Sequence, residues 1–371
     1  MANKINLGVI FGGRSGEHEV SLMSAQSVLS VLDKNKYNII SIGIDKNGIW
    51  WSGENVLDLI RNRDTKNLYR VFLLPEPGKS TLYKRMIIES REEIIPLINL
   101  DVVFPVLHGT FGEDGTLQGF FEMADIAYVG AGVLGSSVGM DKGVFKDVMR
   151  SHEIPVVDWI TFTRKEIEEK MEQIISKCEK LAPYPLFVKP ANLGSSVGIS
   201  KVKNRSDLLE GLMEAALYDR RILVEKGLDA REIEVSVMGN EICRASIAGE
   251  IKPSDEFYSY DAKYINDNSE LCIPADIPDD IASQLHDIAL RAYQAIDCAG
   301  LTRVDFLLEN GTNKIFLNEV NTIPGFTSIS MYPKLWEHSG LSYPDLIDEL
   351  INLAFDRKAE RNKSKRTYGE D

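Results

Sequence analysis

Two short apolar segments carry the residues best suited to chemistry. Arg303-Val304-Asp305 lies on one, and Glu319-Val320-Asn321 lies on the other, beyond a turn around Glu309-Asn310-Gly311. Side chains alternate along a strand, so Arg303 and Asp305 share a face, as do Glu319 and Asn321. Paired as a hairpin, the segments would bring two carboxylates and an amide oxygen together. Hard oxygen donors of this kind suit Mg2+, which keeps positions open for water and substrate phosphates. A solvated polar face with cross-strand ion pairs is the other reading. The flanking Phe306, Leu307, Leu308, Ile315, Phe316 and Leu317 predict burial on both faces, where an unpaired carboxylate is costly.

A second candidate is Lys189 followed by the Gly194-Ser195-Ser196-Val197-Gly198 loop. Backbone N–H groups in a small-residue loop suit phosphate oxygens, and a lysine adds a point charge. The same pentapeptide recurs at 135–139, ahead of Met140-Asp141-Lys142 and a helix, where Ser and Asp read as helix caps. The 194–198 copy lies between two strands, so a plain turn is the competing reading. No Gly-x-x-x-x-Gly-Lys-Ser/Thr string is present. Gly325, after Pro324, could offer its N–H to a developing oxyanion or serve a simple turn. Glu17 and His108 follow strand ends. Tyr258, Tyr260, Lys263 and Tyr264 read as a polar surface loop.

These residues need elements to position them. Residues 5–11, 39–44 and 101–107 read as strands and 20–32 as a helix, which predicts a parallel α/β sheet with ligand groups past the strand carboxyl ends. A helix over 141–154 stops at Pro155. A helix at 206–217 and a strand at 222–225 follow. From 231 the pattern is mainly strands (232–238, 245–250, 304–308, 315–320) with a helix at 279–296, as in an antiparallel-rich unit. Residues 357–371 are charged and read as a frayed helix end.

Bulk properties narrow the function. The 371 residues carry a net charge of −14, with 44% hydrophobic and 26% charged residues. Two or three domains are expected. An acidic chain lacks the basic footprint that nucleic acid or anionic membrane requires. No apolar run approaches the ~20 residues of a membrane span, and the N-terminus does not read as a signal peptide. Four cysteines are scattered without metal-ligand spacing, as in a reduced, cytoplasmic protein.

Lysines, a small-residue loop and a Mg2+-type strand pair together suggest nucleoside triphosphate chemistry without a P-loop. At this point the chain resembles the D-alanine–D-alanine ligases of the ATP-grasp superfamily. The resemblance rests on residues 11–21 (Phe-Gly-Gly-Arg-Ser-Gly-Glu-His-Glu-Val-Ser), 107–119, the 189–199 loop, Tyr260-Asp261-Ala262-Lys263-Tyr264 and 318–327 (Asn-Glu-Val-Asn-Thr-Ile-Pro-Gly-Phe-Thr), in the family's order. It implies a three-domain ATP-grasp architecture of mixed α/β and α+β class: an N-terminal α/β domain (1–130), a central domain (131–225) and a C-terminal domain (226–371), with ATP between the last two.

The resemblance also implies roles. Lys142 and Lys189 bind phosphates, with Ser195 and Ser196 in the loop over them. Glu225, Lys226 and Leu228 surround adenine, Glu232 meets the ribose, and Lys263 reaches the γ-phosphate. Asp305, Glu319 and Asn321 hold two Mg2+, with Mn2+ as an alternative. Glu17 and His108 lie at the first D-alanine, Arg303 and Gly325 at the oxyanion, and Ser330 and Met331 at the second D-alanine carboxylate. Glu17, Ser195 and Tyr264 form a closure, and Tyr264 argues for D-alanine as second substrate. The implied setting is a cytoplasmic homodimer making a peptidoglycan precursor, without nucleic-acid or membrane partners. The alternatives are another ATP-grasp carboxylate–amine ligase, which would lack the Glu17, His108 and Tyr260–Tyr264 strings, a non-catalytic nucleotide-binding module, and a dehydrogenase, for which Gly-x-Gly-x-x-Gly is missing.

Overall fold

The computed structural model describes residues 4–194, 197–252, 270–327 and 329–368. Its first strand, β1 (Ile5–Gly12), is almost continuously apolar because both of its faces are covered. Leu7, Val9 and Phe11 pack with helix α1 (His18–Val31). Ile10 packs with Ile42, Val103 and Phe121 in a separate core. β1 pairs in parallel with β2 (Tyr37–Ile44) and β7 (Val102–Val106), and β7 pairs in parallel with β8 (Ala127–Tyr128). The expected parallel arrangement is thus present on this side only. The other side corrects it. β3 (Trp50–Ser52), β4 (Tyr69–Leu73), β5 (Thr81–Ile88) and β6 (Arg91–Asn99) extend the sheet antiparallel to eight strands, with a short helix, α2 (Val56–Arg61), between β3 and β4. β6 is largely exposed and carries charges and Pro96, so it lacks the apolar pattern of a covered strand. Helix α3 (Thr116–Met123) follows β7.

Helix α4 (Val133–Met140) contains the first Gly-Ser-Ser-Val-Gly copy, so its serines lie inside a helix and do not cap one. Capping falls to Asp141, whose carboxylate accepts from the Gly143 and Val144 N–H groups at the start of α5 (Lys142–Ser151). A four-stranded antiparallel sheet follows, in the order β11 (Ser200–Val202), β10 (Leu186–Pro190), β12 (Arg221–Lys226), β9 (Trp159–Thr163). Its apolar face, with Leu186, Val188, Ile222 and Val224, is covered by α6 (Arg164–Leu181) and α7 (Arg205–Tyr218). The second pentapeptide copy therefore does connect two strands, β10 and β11.

The third sheet is five-stranded and antiparallel: β15 (Glu270–Cys272), β14 (Cys243–Lys252), β13 (Ala230–Gly239), β16 (Gly300–Glu309), β17 (Ile315–Asn321). Val304, Phe306 and Leu308 alternate onto α8 (Asp279–Ala295), while Arg303, Asp305 and Leu307 take the opposite face. Burial on both faces is only half right: Phe306, Leu308 and Leu317 are buried, whereas Leu307 and Phe316 are partly exposed. Helices α9 (Met331–His338) and α10 (Tyr343–Arg361) return the chain to the first sheet, so that Phe326, Trp336, Leu346 and Leu350 share a core with β1 and α1. The expected frayed end is instead ordered helix to Arg361, with Arg357 and Arg361 facing Glu122 and Lys358 facing Asp125.

Candidate active site

β16 and β17 form the hairpin that the spacing predicts. Asp305 lies opposite Glu319, and Arg303 opposite Asn321. A bulge separates Asp305 from Phe306, which pairs with Leu317, leaving Asn318 as the extra residue. Without it, Glu319 would follow Leu317 into the core. With it, Glu319 joins Asp305 on the open face. Arg303 grips Asp305 through two parallel bonds, Nε–Oδ1 at 2.7 Å and an Nη2–Oδ2 bond at 2.6 Å. Its Nε also lies 3.0 Å from a Glu234 carboxylate oxygen. Burial works against the guanidinium charge, but Asp305 and Glu234 outweigh it and hold Arg303 well above its ordinary value. Asn321 Nδ2 donates to Asp305 Oδ2 at 2.9 Å.

This face is one wall of a cavity of about 340 Å³ between the four-stranded and five-stranded sheets. Lys142, Lys189, Glu225, Lys226, Leu228, Glu232, Asp305 and Glu319 all line it. Lys142 is buried at the start of α5. Its ammonium donates to the Leu193 carbonyl at 2.7 Å and stands 4.0 Å from Glu319. Glu225 is 3% exposed and sits between two ammonium groups. Lys189 contacts one carboxylate oxygen, and Lys146 lies 2.9 Å from the other. Burial favours the neutral acid, yet the two lysines prevail and hold Glu225 down to about 2. Burial in turn lowers the pKa values of Lys142 and Lys146.

The carboxyl ends of β1 and β7 lie beside this cavity and meet it at Gly194, a lining residue that packs on Glu17. Glu17, at the start of α1, is 7% exposed. A Cβ placed on Gly194 would lie 2.6 Å from its Oε2, and one on Gly109 would lie 2.2 Å away. Only glycine permits that approach, so the 194–198 loop does reach Glu17. His108 is buried, and burial, with the Arg303 charge, lowers its pKa to about 4. The neutral ring bonds the Ile323 carbonyl through Nδ1 at 2.9 Å, so the proton is on Nδ1. Nε2 then accepts from the Ser24 hydroxyl at 3.0 Å, and Ser24 Oγ accepts from the Phe326 N–H at 3.2 Å. Glu113 accepts from the Gly109 N–H at 2.7 Å and from the Ile323 N–H at 3.0 Å. Burial and the Glu17 charge push its pKa up, against the pull of those two bonds. Gly325 lies inside this bracketed loop. Ser330 caps no amide of α9 with its side chain; its hydroxyl instead lies 2.7 Å from the Thr327 hydroxyl. The Met331 side chain is buried with Ile251 and Leu335, which leaves its backbone as the group that can meet a ligand.

Of the residues singled out from the sequence, Ser195, Ser196, Lys263 and Tyr264 lie outside the described residues, as do Tyr258 and Tyr260. Of the rest, Lys142, Lys189, Glu225, Lys226, Leu228, Glu232, Asp305 and Glu319 line the cavity, Arg303 and Asn321 flank Asp305, Glu17, His108 and Gly325 lie in the loops beside it, and Ser330 and Met331 open α9. Sequence reasoning missed Lys146, Glu234, Glu113 and Ser24. Lys146 carried a signal, since it sits one helical turn after Lys142 on the same face.

The donor set fits a hard divalent cation. Among the described residues no three His, Cys, Asp or Glu side chains converge, but two facing carboxylates and an amide do. With a cation bound, Asn321 would present Oδ1 in place of the Nδ2 that donates to Asp305. A carboxylate pair facing buried lysines across a cavity between two antiparallel sheets is the arrangement of an ATP-grasp ligase.

Comparison with known proteins narrows that class. Residues 6–131 match the D-ala D-ala ligase N-terminus family and residues 148–352 match the D-ala D-ala ligase C-terminus family. The chain is 48% identical over 368 residues to the D-alanine–D-alanine ligase of Natranaerobius thermophilus, covering 99% of each. Among solved structures, it is similar to the D-alanine–D-alanine ligase of Coxiella burnetii, with 36% identity, a TM-score of 0.81 and coverage of 98% and 97% of the two chains. It is similar also to the VanG D-Ala:D-Ser ligase of Enterococcus faecalis, with 36% identity, a TM-score of 0.82 and coverage of 95% and 100%. The chain belongs to the D-alanine–D-alanine ligase family.

Proposed function

We propose that the chain joins two D-alanines into D-alanyl-D-alanine, driven by ATP and passing through a D-alanyl phosphate, to supply a peptidoglycan precursor. One observation carries this reading. Asp305 and Glu319 open on the lysine-lined cavity, and the chain runs directly on from β17 through residues 322–326 to Glu113, His108 and Ser24. A phosphate end and an amino-acid end thus share a wall.

A carboxylate resists attack by an amine and needs activation. An oxygen of the first D-alanine carboxylate bonds to the γ-phosphorus, the β–γ bridging bond breaks, and ADP leaves. Lys142 and Lys189 offset charge on the transferring group. Mg2+, or Mn2+, held by Asp305, Glu319 and Asn321, supplies further neutralisation of phosphate charge when bound. The second D-alanine amine then attacks the acyl carbon and loses a proton. The C–O bond to phosphate breaks, and phosphate departs. Arg303, held rigid by Asp305 and Glu234, and the Gly325 N–H stabilise the tetrahedral oxyanion. Glu17 and His108 place the first D-alanine, and Ser330 with the Met331 backbone receives the second carboxylate. Glu225, Lys226 and Leu228 surround adenine, and Glu232 meets the ribose. Ser195, Ser196, Lys263 and Tyr264 take their roles over the phosphates and in the closure from the resemblance alone.

The first sheet serves the first D-alanine (1–130), and the other two units (131–225 and 226–371) grip ATP. The chain acts as a cytoplasmic homodimer. Among the described residues no helix is long and apolar enough to cross a membrane. The test is phosphate release with ATP, Mg2+ and D-alanine against L-alanine, D-serine and D-lactate. D-alanine alone should give a dipeptide. Release with D-alanine plus D-serine but not with D-alanine alone would overturn the assignment of the second substrate.

A further inference from the structure

We propose that Glu113 is a positioning residue for the second half of the ligation: by bridging the Gly109 and Ile323 N–H groups it sets the direction of the Gly325 N–H. The inference rests on the function proposed above, which places the oxyanion at Gly325.

Three polar contacts tie residues 323–326 to Glu113, His108 and Ser24, and a fourth joins two of these anchors to each other. Glu113 takes the Ile323 N–H at 3.0 Å, and His108 donates to the Ile323 carbonyl at 2.9 Å. Ser24 takes the Phe326 N–H at 3.2 Å and joins that bond to His108 at 3.0 Å. Pro324 has no N–H and a fixed φ. The peptide groups on both sides of Ile323 and the one after Gly325 are therefore anchored, and the Pro324–Gly325 peptide is held between them. Among the described residues none accepts from the Gly325 N–H itself. Glu113 differs from the other anchors because its second oxygen holds the Gly109 N–H at 2.7 Å, next to His108 and against the Glu17 carboxylate. One side chain thereby ties the loop beside the first amino acid to the loop that carries the oxyanion donor. In its ionised form Glu113 accepts at both oxygens, as the two N–H bonds require. A glutamine of the same shape accepts at only one and turns an NH2 toward the other amide.

The requirement is specific to one half-reaction. Phosphoryl transfer depends on the lysines and the carboxylate face. Attack on the acyl carbon depends on the oxyanion donors, where a misplacement of about 1 Å costs on the order of a hundredfold. An acyl phosphate that waits too long meets water: the water oxygen bonds to the acyl carbon, the C–O bond to phosphate breaks, and D-alanine and phosphate are released.

The experiment measures ADP and dipeptide together for wild type, E113Q and S24A, with ADP binding by titration as the check on folding. Wild type should give one ADP per dipeptide. E113Q should bind ADP as wild type does and lose dipeptide turnover by ~100-fold, and its ADP-to-dipeptide ratio should rise severalfold. S24A, which frees the Phe326 N–H, should raise the ratio in the same direction; it decides alone if E113Q no longer binds ADP. Ratios that stay at one, with ADP and dipeptide falling in parallel, overturn the positioning role. A wild-type enzyme that makes no dipeptide overturns the underlying function instead.

Discussion

Replacing Lys146 with methionine removes one of two cations from a buried carboxylate while keeping most of the side-chain volume. Lys146 is 2% exposed, and its ammonium lies 2.9 Å from Glu225, which is 3% exposed. The Glu225 pKa falls from 4.5 to about 2, worth about 3 kcal/mol in favour of the ionised form at 1.36 kcal/mol per pKa unit. Burial opposes ionisation, so Lys146 and Lys189 together contribute more than that. Removing one partner of such a pair typically costs about 3–5 kcal/mol. With Lys189 still in place, Lys146→Met should lose about 3 kcal/mol at pH 7. The assay is urea unfolding in a cycle of Lys146→Met, Glu225→Gln and the double variant. The double variant should be more stable than the sum of the single losses predicts, with a coupling of about 2 kcal/mol. The sign of the pH dependence follows from the lowered pKa: the stability that Glu225 confers is present above about 4.5 and is lost as the pH falls toward 2. The gap between wild type and Lys146→Met should narrow over that window. A coupling below about 0.5 kcal/mol would refute the claim that the lysine and the glutamate act as a buried pair.

Asp305→Ala removes a facing carboxylate and the bidentate partner of Arg303, and should cut ATP-dependent phosphate release at ordinary Mg2+ by at least ~100-fold; unchanged release would sink the metal assignment. His108 is buried and neutral with its pKa lowered from 6.5 to about 4, so the unfolded chain gains a proton first, and stability should fall by about 3 kcal/mol between pH 6.5 and 4. Urea midpoints across that range should show the drop, and His108→Asn should flatten it. Gly194→Ala sets a methyl group 2.6 Å from Glu17 Oε2 and should raise the KM for D-alanine at the first site more than the KM for ATP, whose cavity Gly194 also lines; equal KM values for D-alanine in variant and wild type would show that the loop does not press on Glu17.

The legibility of this molecule follows the range of each interaction. Asp305 and Glu319 could be read from the chain because alternation is local and the turn between them is short. The bulge that keeps Glu319 off the core side could not, since Leu317 and Glu319 are two residues apart and simple alternation puts both on one face. β3 to β6 escaped reading because half-exposed strands with charges and Pro96 carry no continuous apolar run. Lys146 was within reach. Two lysines one turn apart on a helix face are both buried only where anions await them, and here those anions are Glu225 and Glu319. Glu113 and Ser24 have no such signature, because their partners lie some two to three hundred residues along the chain. Yet they join the one loop that must be placed to within about an ångström to the rigid end of β7 and α1. A ligase can keep its nucleotide grip and its acidic face without that connection. Efficient transfer of the acyl group to the second amine requires it, and this is why the coupling of ADP release to dipeptide formation tests the site more sharply than overall turnover does.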